Sequence, residues 1–191
     1  MYAPLGASQA RNRLNIEYRE ALKQQQQQQQ QGDGDSKKSK KKGAGDSIIL
    51  FPNSPKNLFE WTAYIKGPPD SPYEGGTFQL RLQVPPKYPL KPPKVHFKTK
   101  VCHPNVLFKT GEICLDILKD AWTPVWTLET TCRAIVNLLD NPEASSPLNC
   151  DAGNLIRGGD MKGFNSLAKM YTQEYAMENP SLKSLKSVVK K

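Results

Sequence analysis

Hydrophobic residues in this chain change their spacing repeatedly, and each change marks a different kind of element. Between Ser8 and Lys23, Leu14, Tyr18, Ala21 and Leu22 recur three and four residues apart, while Arg11, Arg13, Arg19 and Lys23 take the other side. That period predicts an amphipathic helix over residues 8–23 with Ser8 as its cap. From Ile48 the period shortens to two. Ile48–Phe51, Leu58–Lys66, Thr77–Val84 and Lys94–Lys98 read as short strands rich in β-branched and aromatic residues. The connections between them, among them Gly67–Pro72, Glu74–Gly76 and Pro85–Lys87, cannot hold crossover helices, so neighbouring strands should run antiparallel as a meander. The third run sets Phe78, Leu80, Leu82 and Val84 against Thr77, Gln79, Arg81 and Gln83. One face is apolar and one half wet, which calls for helices on a single side.

The helical period returns after Thr127, a predicted cap. Cys132, Ile135, Val136, Leu138 and Leu139 follow at helical spacing, and Asn141-Pro142 ends the element. A helical turn is expected over Ala152–Arg157 before Gly158-Gly159. A last helix is expected over Met161–Glu178, with Phe164, Leu167, Ala168, Met170, Tyr171 and Tyr175 on its apolar side. The fold class that results is α+β: a four-stranded antiparallel meander with an N-terminal helix and C-terminal helices.

Two stretches have no period at all. Eight glutamines (Gln24–Gln31), a Gly-Asp repeat and the Lys37–Lys42 run offer nothing to bury, so residues 24–46 read as a disordered insertion, into which the glutamines can let the helix run on for a turn or two. Residues 180–191 read as a basic tail. The predicted division is therefore helix 1–23, insertion 24–46, core 47–179 and tail 180–191. Charge supports it. The chain of 191 residues carries a formal +9, of which the insertion holds +2 and the tail +4, leaving the folded part only mildly basic. Nucleic-acid binding needs positive charge on a folded face with aromatic platforms, so no nucleic-acid partner is expected. Four cysteines without a C-x-x-C pair and only two histidines give no metal site, and no cofactor is expected. The sparse cysteines and lack of a signal peptide suggest a reducing compartment. Ile48–Phe51 is too short to span a bilayer, so any membrane association should be peripheral or through a partner.

Candidate chemistry gathers in residues 103–118, His-Pro-Asn-Val-Leu-Phe-Lys-Thr-Gly-Glu-Ile-Cys-Leu-Asp-Ile-Leu. Cys114 stands between Ile113 and Leu115, a setting that by itself describes a core residue. A proline turn (His103-Pro104-Asn105) and a glycine loop precede it, and the stiff segment Trp122-Thr123-Pro124-Val125-Trp126 follows. Tyr88-Pro89-Leu90-Lys91-Pro92-Pro93 is a second stiff loop, displaying Leu90.

The residues from about Ile48 to Ala176, with the first helix, resemble the ubiquitin-conjugating enzymes. The resemblance rests on Gly67–Gly76, Tyr88–Val95, His103–Asn105, Gly111–Leu118, Trp122–Pro124 and Ser146–Leu148, six motifs in register. It implies that Cys114 takes ubiquitin from the activating enzyme as a thioester and passes it on, with Asn105 an oxyanion or loop-ordering residue. The thiolate is intrinsically nucleophilic, so no adjacent general base is required. Ser146 falls at the family's gate beside the cysteine. Asp116 is expected to orient the incoming nucleophile or to make a structural hydrogen bond, and His103 and Pro104 are expected to be structural. Leu90, Pro124, Val125 and Arg11 match the surface presented to RING-type ubiquitin ligases.

Cys102 before the His-Pro-Asn turn, the Pro124-Val125-Trp126 segment and Asp151–Met161 resemble the peroxisomal members of the family. That likeness implies an enzyme at the cytosolic face of the peroxisomal membrane, held by a peroxisomal membrane anchor protein and modifying import receptors for recycling. Cys102 and Cys150 flank the site in the family fold, and a disulfide between them is not expected in a reducing compartment. The alternatives are a general cytosolic ubiquitin-conjugating enzyme, a catalytically dead family scaffold and a cysteine hydrolase. Cys114 speaks against the second. The third lacks a free histidine base.

Overall fold

A computed structural model describes residues 5–30 and 48–178. Four antiparallel strands form the predicted meander: β1 (Ile49–Ser54), β2 (Asn57–Lys66), β3 (Gly76–Gln83) and β4 (Lys94–Phe97), in that spatial order. One helix precedes them, α1 (Leu5–Gln30). Three follow, α2 (Leu128–Asp140), α3 (Cys150–Arg157) and α4 (Met161–Tyr175).

The alternation along β3 is realised from Phe78 onward, whereas Thr77, expected on the half-wet face, is buried. Phe78, Leu80, Leu82 and Val84 are buried, while Arg81 is exposed and Gln79 and Gln83 are half-buried. Across β2, Trp61, Ala63 and Ile65 point into the same main core, which α1 joins through Ala10 and Leu14. The opposite face of the sheet is not bare, because Phe51 and Tyr64 pack there with Ile49 and Met177. Thr127 caps α2 as expected: its side chain accepts from Thr130 N, and Thr130 reciprocates to the Thr127 backbone. The side chains of Asn149 and Asp160 cap α3 and α4 by accepting from Ala152 N and Gly163 N.

The helices depart from their predicted bounds at four places, α3 beginning at Cys150 rather than Ala152 because Asn149 caps it. Ser8 lies inside α1, not at its cap, because the helix begins at Leu5. At the other end α1 runs on through the glutamines to Gln30, about the turn or two by which they were expected to let it continue, so residues 24–30 are helix and not insertion; the rest of the expected insertion lies outside the described residues, as do residue 179 and the expected tail 180–191. Glutamine is a good helix former, and Gln25 is anchored. Its side chain is buried and its Nε2 donates to Leu50 O at 2.9 Å, joining the helix to β1. The last helix stops at Tyr175, not Glu178, because Met177 and Glu178 form a short strand, β5, that pairs antiparallel with Thr77 and Gly76 of β3. Met170, expected on the apolar side, is 48% exposed.

Candidate functional site

The segment bearing Cys114 is laid against the edge of the sheet by backbone bonds. His96 of β4 bridges Glu112, Phe97 N donates to Gly111 O at 2.8 Å, and Val106 bridges Ile113. Gly111 has φ +74, and a Cβ there would collide with the Phe97 carbonyl, so the close approach requires glycine. Cys114 N then donates to Asn105 O at 2.9 Å. Ile113 is buried beneath, and the Cys114 thiol is left half-buried at the surface. A 3-10 turn over Asp116–Leu118 follows, and Lys119 N closes it on Asp116 O. That turn brings the Lys119 ammonium to 3.4 Å from Cys114 Sγ, where it donates.

The other three cysteines are placed differently, and all four are free. Burial pushes the Cys102 thiol up to about 11 and that of Cys132 up to about 12, so both stay protonated and shielded. Cys150 is exposed at the start of α3.

Behind the cysteine, the His-Pro-Asn turn is a buried polar knot. His103 is fully buried; its Nδ1 accepts from Asn105 N at 3.1 Å, so its Nε2 carries the proton and donates to Leu138 O at 3.0 Å. Burial lowers its pKa to about 4, which keeps the ring neutral and in that tautomer. Asn105 is 3% exposed and closes a two-bond ring with the backbone of Glu143: Nδ2 donates to Glu143 O at 2.8 Å, and Oδ1 accepts from Glu143 N at 2.9 Å. Pro104, also buried, accepts from Leu148 N and Asn149 N through its carbonyl. The whole 143–149 loop is thereby sewn to the turn. Ser146 sits midway along it, exposed. Asp116 is exposed, and its hydrogen bonds run through its backbone carbonyl, to Lys119 N and Ala121 N. Beside the ledge opens a groove of about 800 Å³, its walls including Lys91, Lys94, Glu112, Leu118 and Lys119. Among the described residues, no cluster of three or more side chains suits a metal ion, and no helix is long and apolar enough to cross a membrane.

A family model of the ubiquitin-conjugating enzyme matches residues 14–172. The chain belongs to that family. Protein PEROXIN-4 of Arabidopsis thaliana is 65% identical to it over 121 residues, 63% of this chain and 77% of that protein. Ubiquitin-conjugating enzyme E2 pex4 of Dictyostelium discoideum is 58% identical over 130 residues, 68% of this chain and 87% of that one. Among solved structures, the H. polymorpha ubiquitin conjugating enzyme Pex4p, in complex with the soluble domain of Pex22p, superposes with a TM-score of 0.75. Its identity is 36%, covering 87% of this chain and 98% of that chain. The family's fold, a four-stranded antiparallel sheet with one helix before it and three after, is the one found here.

This ubiquitin-conjugating enzyme displays a second surface at the N-terminal end of α2. Leu90 is 73% exposed and Val125 85%, with Pro124 exposed beside it and Arg11 exposed on α1. Trp122 Nε1 donates to Pro89 O at 2.7 Å, tying the two stiff loops together. Beneath them lies Glu17, 5% exposed, which the sequence pattern did not single out. One of its oxygens accepts from Arg13 Nε at 2.7 Å and Tyr88 OH at 2.6 Å; the other accepts from Leu128 N at 2.8 Å. One carboxylate thus binds the helix, the Leu90 loop and the start of α2. The available signal was its register: Glu17 falls on the stripe of Leu14 and Ala21, four residues after Arg13. Lys119 was missed as well, since nothing in the sequence shows which way a turn directs a lysine.

Proposed function

We propose that this protein accepts ubiquitin as a thioester on Cys114 and transfers it to an amine or thiol of a substrate. The observation that carries the reading is the half-exposed Cys114 thiol on a ledge fixed by backbone bonds, in a chain of this family. Exchange of one thioester for another is close to balanced in energy, so the incoming thiolate needs position more than activation. Passage to an amine then runs downhill. Asn105 orders the 143–149 loop through Glu143, and the second hydrogen of its Nδ2 is the donor available to an oxyanion. Ser146 cannot serve as a carboxylate base, so deprotonation of the acceptor amine falls to desolvation and to the substrate's own surroundings. Asp116, exposed two residues after Cys114, would orient that amine. Leu90, Pro124, Val125 and Arg11 form the ligase-binding surface: apolar groups on stiff loops lose little entropy on docking.

The relatives named PEROXIN-4 and Pex4 support a peroxisomal role; the proposed place of action is the cytosolic face of the peroxisomal membrane, and the proposed substrates are the import receptors. A membrane-anchored partner would hold the enzyme there, as the complex of Pex4p with the Pex22p soluble domain suggests by analogy. Intact matrix import in cells lacking the gene would refute this assignment and leave the chemistry standing.

The chemistry is tested by incubation with activating enzyme, ATP and ubiquitin. The expected product is an adduct that thiol reductant removes; Cys114→Ala should give none, and Cys114→Ser an adduct that resists reductant. Absence of any adduct with the unaltered protein refutes the carrier reading.

A further inference from the structure

Three segments enclose the groove of about 800 Å³ beside the Cys114 ledge: the end of β3 with Pro85, the run from Lys91 to His96, and the chain on either side of the cysteine. Ile113 and Leu118 bracket the nucleophile in sequence, so whatever fills the groove lies next to the thiol. The floor is apolar, since Val84, Pro93, Val95 and Ile113 are buried. The rim is basic: Lys91, Lys94 and Lys119 stand against a single carboxylate, Glu112. Lys119 is turned to Cys114 Sγ. Lys91 and Lys94 are exposed, and neither makes an ion pair among the described residues.

The backbone roots both of these cations. Lys91 N donates to Lys87 O at 3.1 Å, and Lys94 pairs with Gln83 in the β3–β4 ladder. Between them Pro92 and Pro93 have fixed φ, so the spacing of the two lysines is set before anything binds. Two rooted cations over an apolar floor suit an extended segment in which carboxylates alternate with apolar side chains. A membrane surface suits them less, because a broad flat face would meet the lysines and leave the floor unfilled. The preference is also local. The smaller cavity by α3 and α4 is lined by Asp151 and Asp160 and carries the opposite sign.

We infer that this groove selects the acceptor: it binds an extended acidic segment of the substrate beside the residue that receives ubiquitin, Lys91 and Lys94 pairing with the carboxylates. This rests on the carrier reading above. It gives the enzyme a substrate preference of its own, separate from the ligase surface at Leu90 and Val125. It also holds the acceptor near the thioester, which is where binding energy speeds a transfer that depends on position.

Two fluorescent peptides test the inference, each with one central lysine. One carries aspartate at alternate flanking positions and the other asparagine. Polarisation measures their binding to the uncharged full-length protein, and discharge of the Cys114 thioester measures their use as acceptors, both without a ligase. The acidic peptide should bind roughly fivefold more tightly at low salt. The difference should shrink at about 0.5 M salt, where exposed charges are screened. Half-maximal discharge should need correspondingly less acidic peptide, with the maximal rate little changed. Lys91→Glu with Lys94→Glu should reverse the preference and leave charging and discharge to hydroxylamine as they were. Lys91→Arg with Lys94→Arg should keep it. Equal binding of the two peptides overturns the inference, as does a preference that survives charge reversal. Loss of charging in the charge-reversed protein would assign the groove to the donor ubiquitin and overturn it too. So would loss of retention on phosphatidylserine vesicles with peptide binding unchanged, which would assign the lysines to a membrane. Failure to form any thioester removes the carrier reading, and polarisation still decides whether the groove takes acidic segments.

Discussion

The ledge that carries Cys114 and the surface that displays Leu90 and Val125 are both built from stiff loops, yet they are secured by opposite means. The ledge is held by neutral groups, the Lys119 ammonium lying at its surface. Cys114 N, Gly111 O, Asn105 and Pro104 exchange hydrogen bonds with other backbone groups, and the buried titratable residues behind them, Cys102 and His103, are held uncharged. The second surface hangs on a buried carboxylate, Glu17, with an arginine beside it and a phenol whose ionisation burial pushes well upward, Glu17 adding to the effect. The contrast is instructive about where charge is useful. On the function proposed above the site would host a changing acyl group, and fixed dipoles suit that because they need no counterion as a thioester forms and breaks. A site that must keep three separate segments in register can use one carboxylate, since a charge-assisted bond is short and strong and a single group can accept several.

The largest effect is expected where the charge is. Glu17→Ala would strand the Tyr88 hydroxyl and the Leu128 N–H in the interior and should cost roughly 3–5 kcal/mol, read from the urea unfolding midpoint. A loss below about 1 kcal/mol would mean that the carboxylate is dispensable. Next comes pH. His103 in the folded protein binds its proton only near pH 4, whereas the unfolded chain binds it near the ordinary 6.5. Stability is therefore full above pH 6.5 and falls by roughly 3 kcal/mol as pH drops to 4. Unfolding free energies across that window should show the slope, and His103→Asn should flatten it.

Asn105→Ala tests whether the neutral ledge acts in chemistry or only in architecture. Charging should survive while discharge to free lysine falls about a hundredfold; equal loss in both steps would make Asn105 purely structural. The smallest effect is expected at the exposed end of the comparison. Leu90→Ala should move stability by no more than about 0.5 kcal/mol. It should lower ligase-stimulated discharge about tenfold, a change visible when discharge is timed with and without the ligase.

What could be read along the chain was what depends on near neighbours. The alternation of Phe78, Leu80 and Leu82 gave β3 its buried face, and Thr127 announced the start of α2, because each signal lies within a few residues of its effect. What escaped depends on partners far along the chain. That glutamines could prolong α1 was legible, but not the anchor of Gln25 on Leu50 O, and Met177 leaves the helix because β3 offers it an unpaired rung. Glu17 was hidden for the same reason: its partners are 71 and 111 residues away. At the site, the order of motifs pointed to Cys114 and Asn105. The double bond from Asn105 to Glu143 and the approach of Lys119 needed coordinates, because both are set by how loops fold back.

The segment that carries Cys114 has one more role, visible in its bridge from Glu112 to His96. β4 is a terminal strand of the meander, and an open strand edge is a template on which a second molecule can add. The bridge, with Phe97 N bonded to Gly111 O, occupies that edge. The Cys114 loop thus covers part of the strand edge. A substitution at Gly111 would be expected to unseat the loop, disabling the thiol and uncovering the edge together, so that lost activity and clumping arise from one cause.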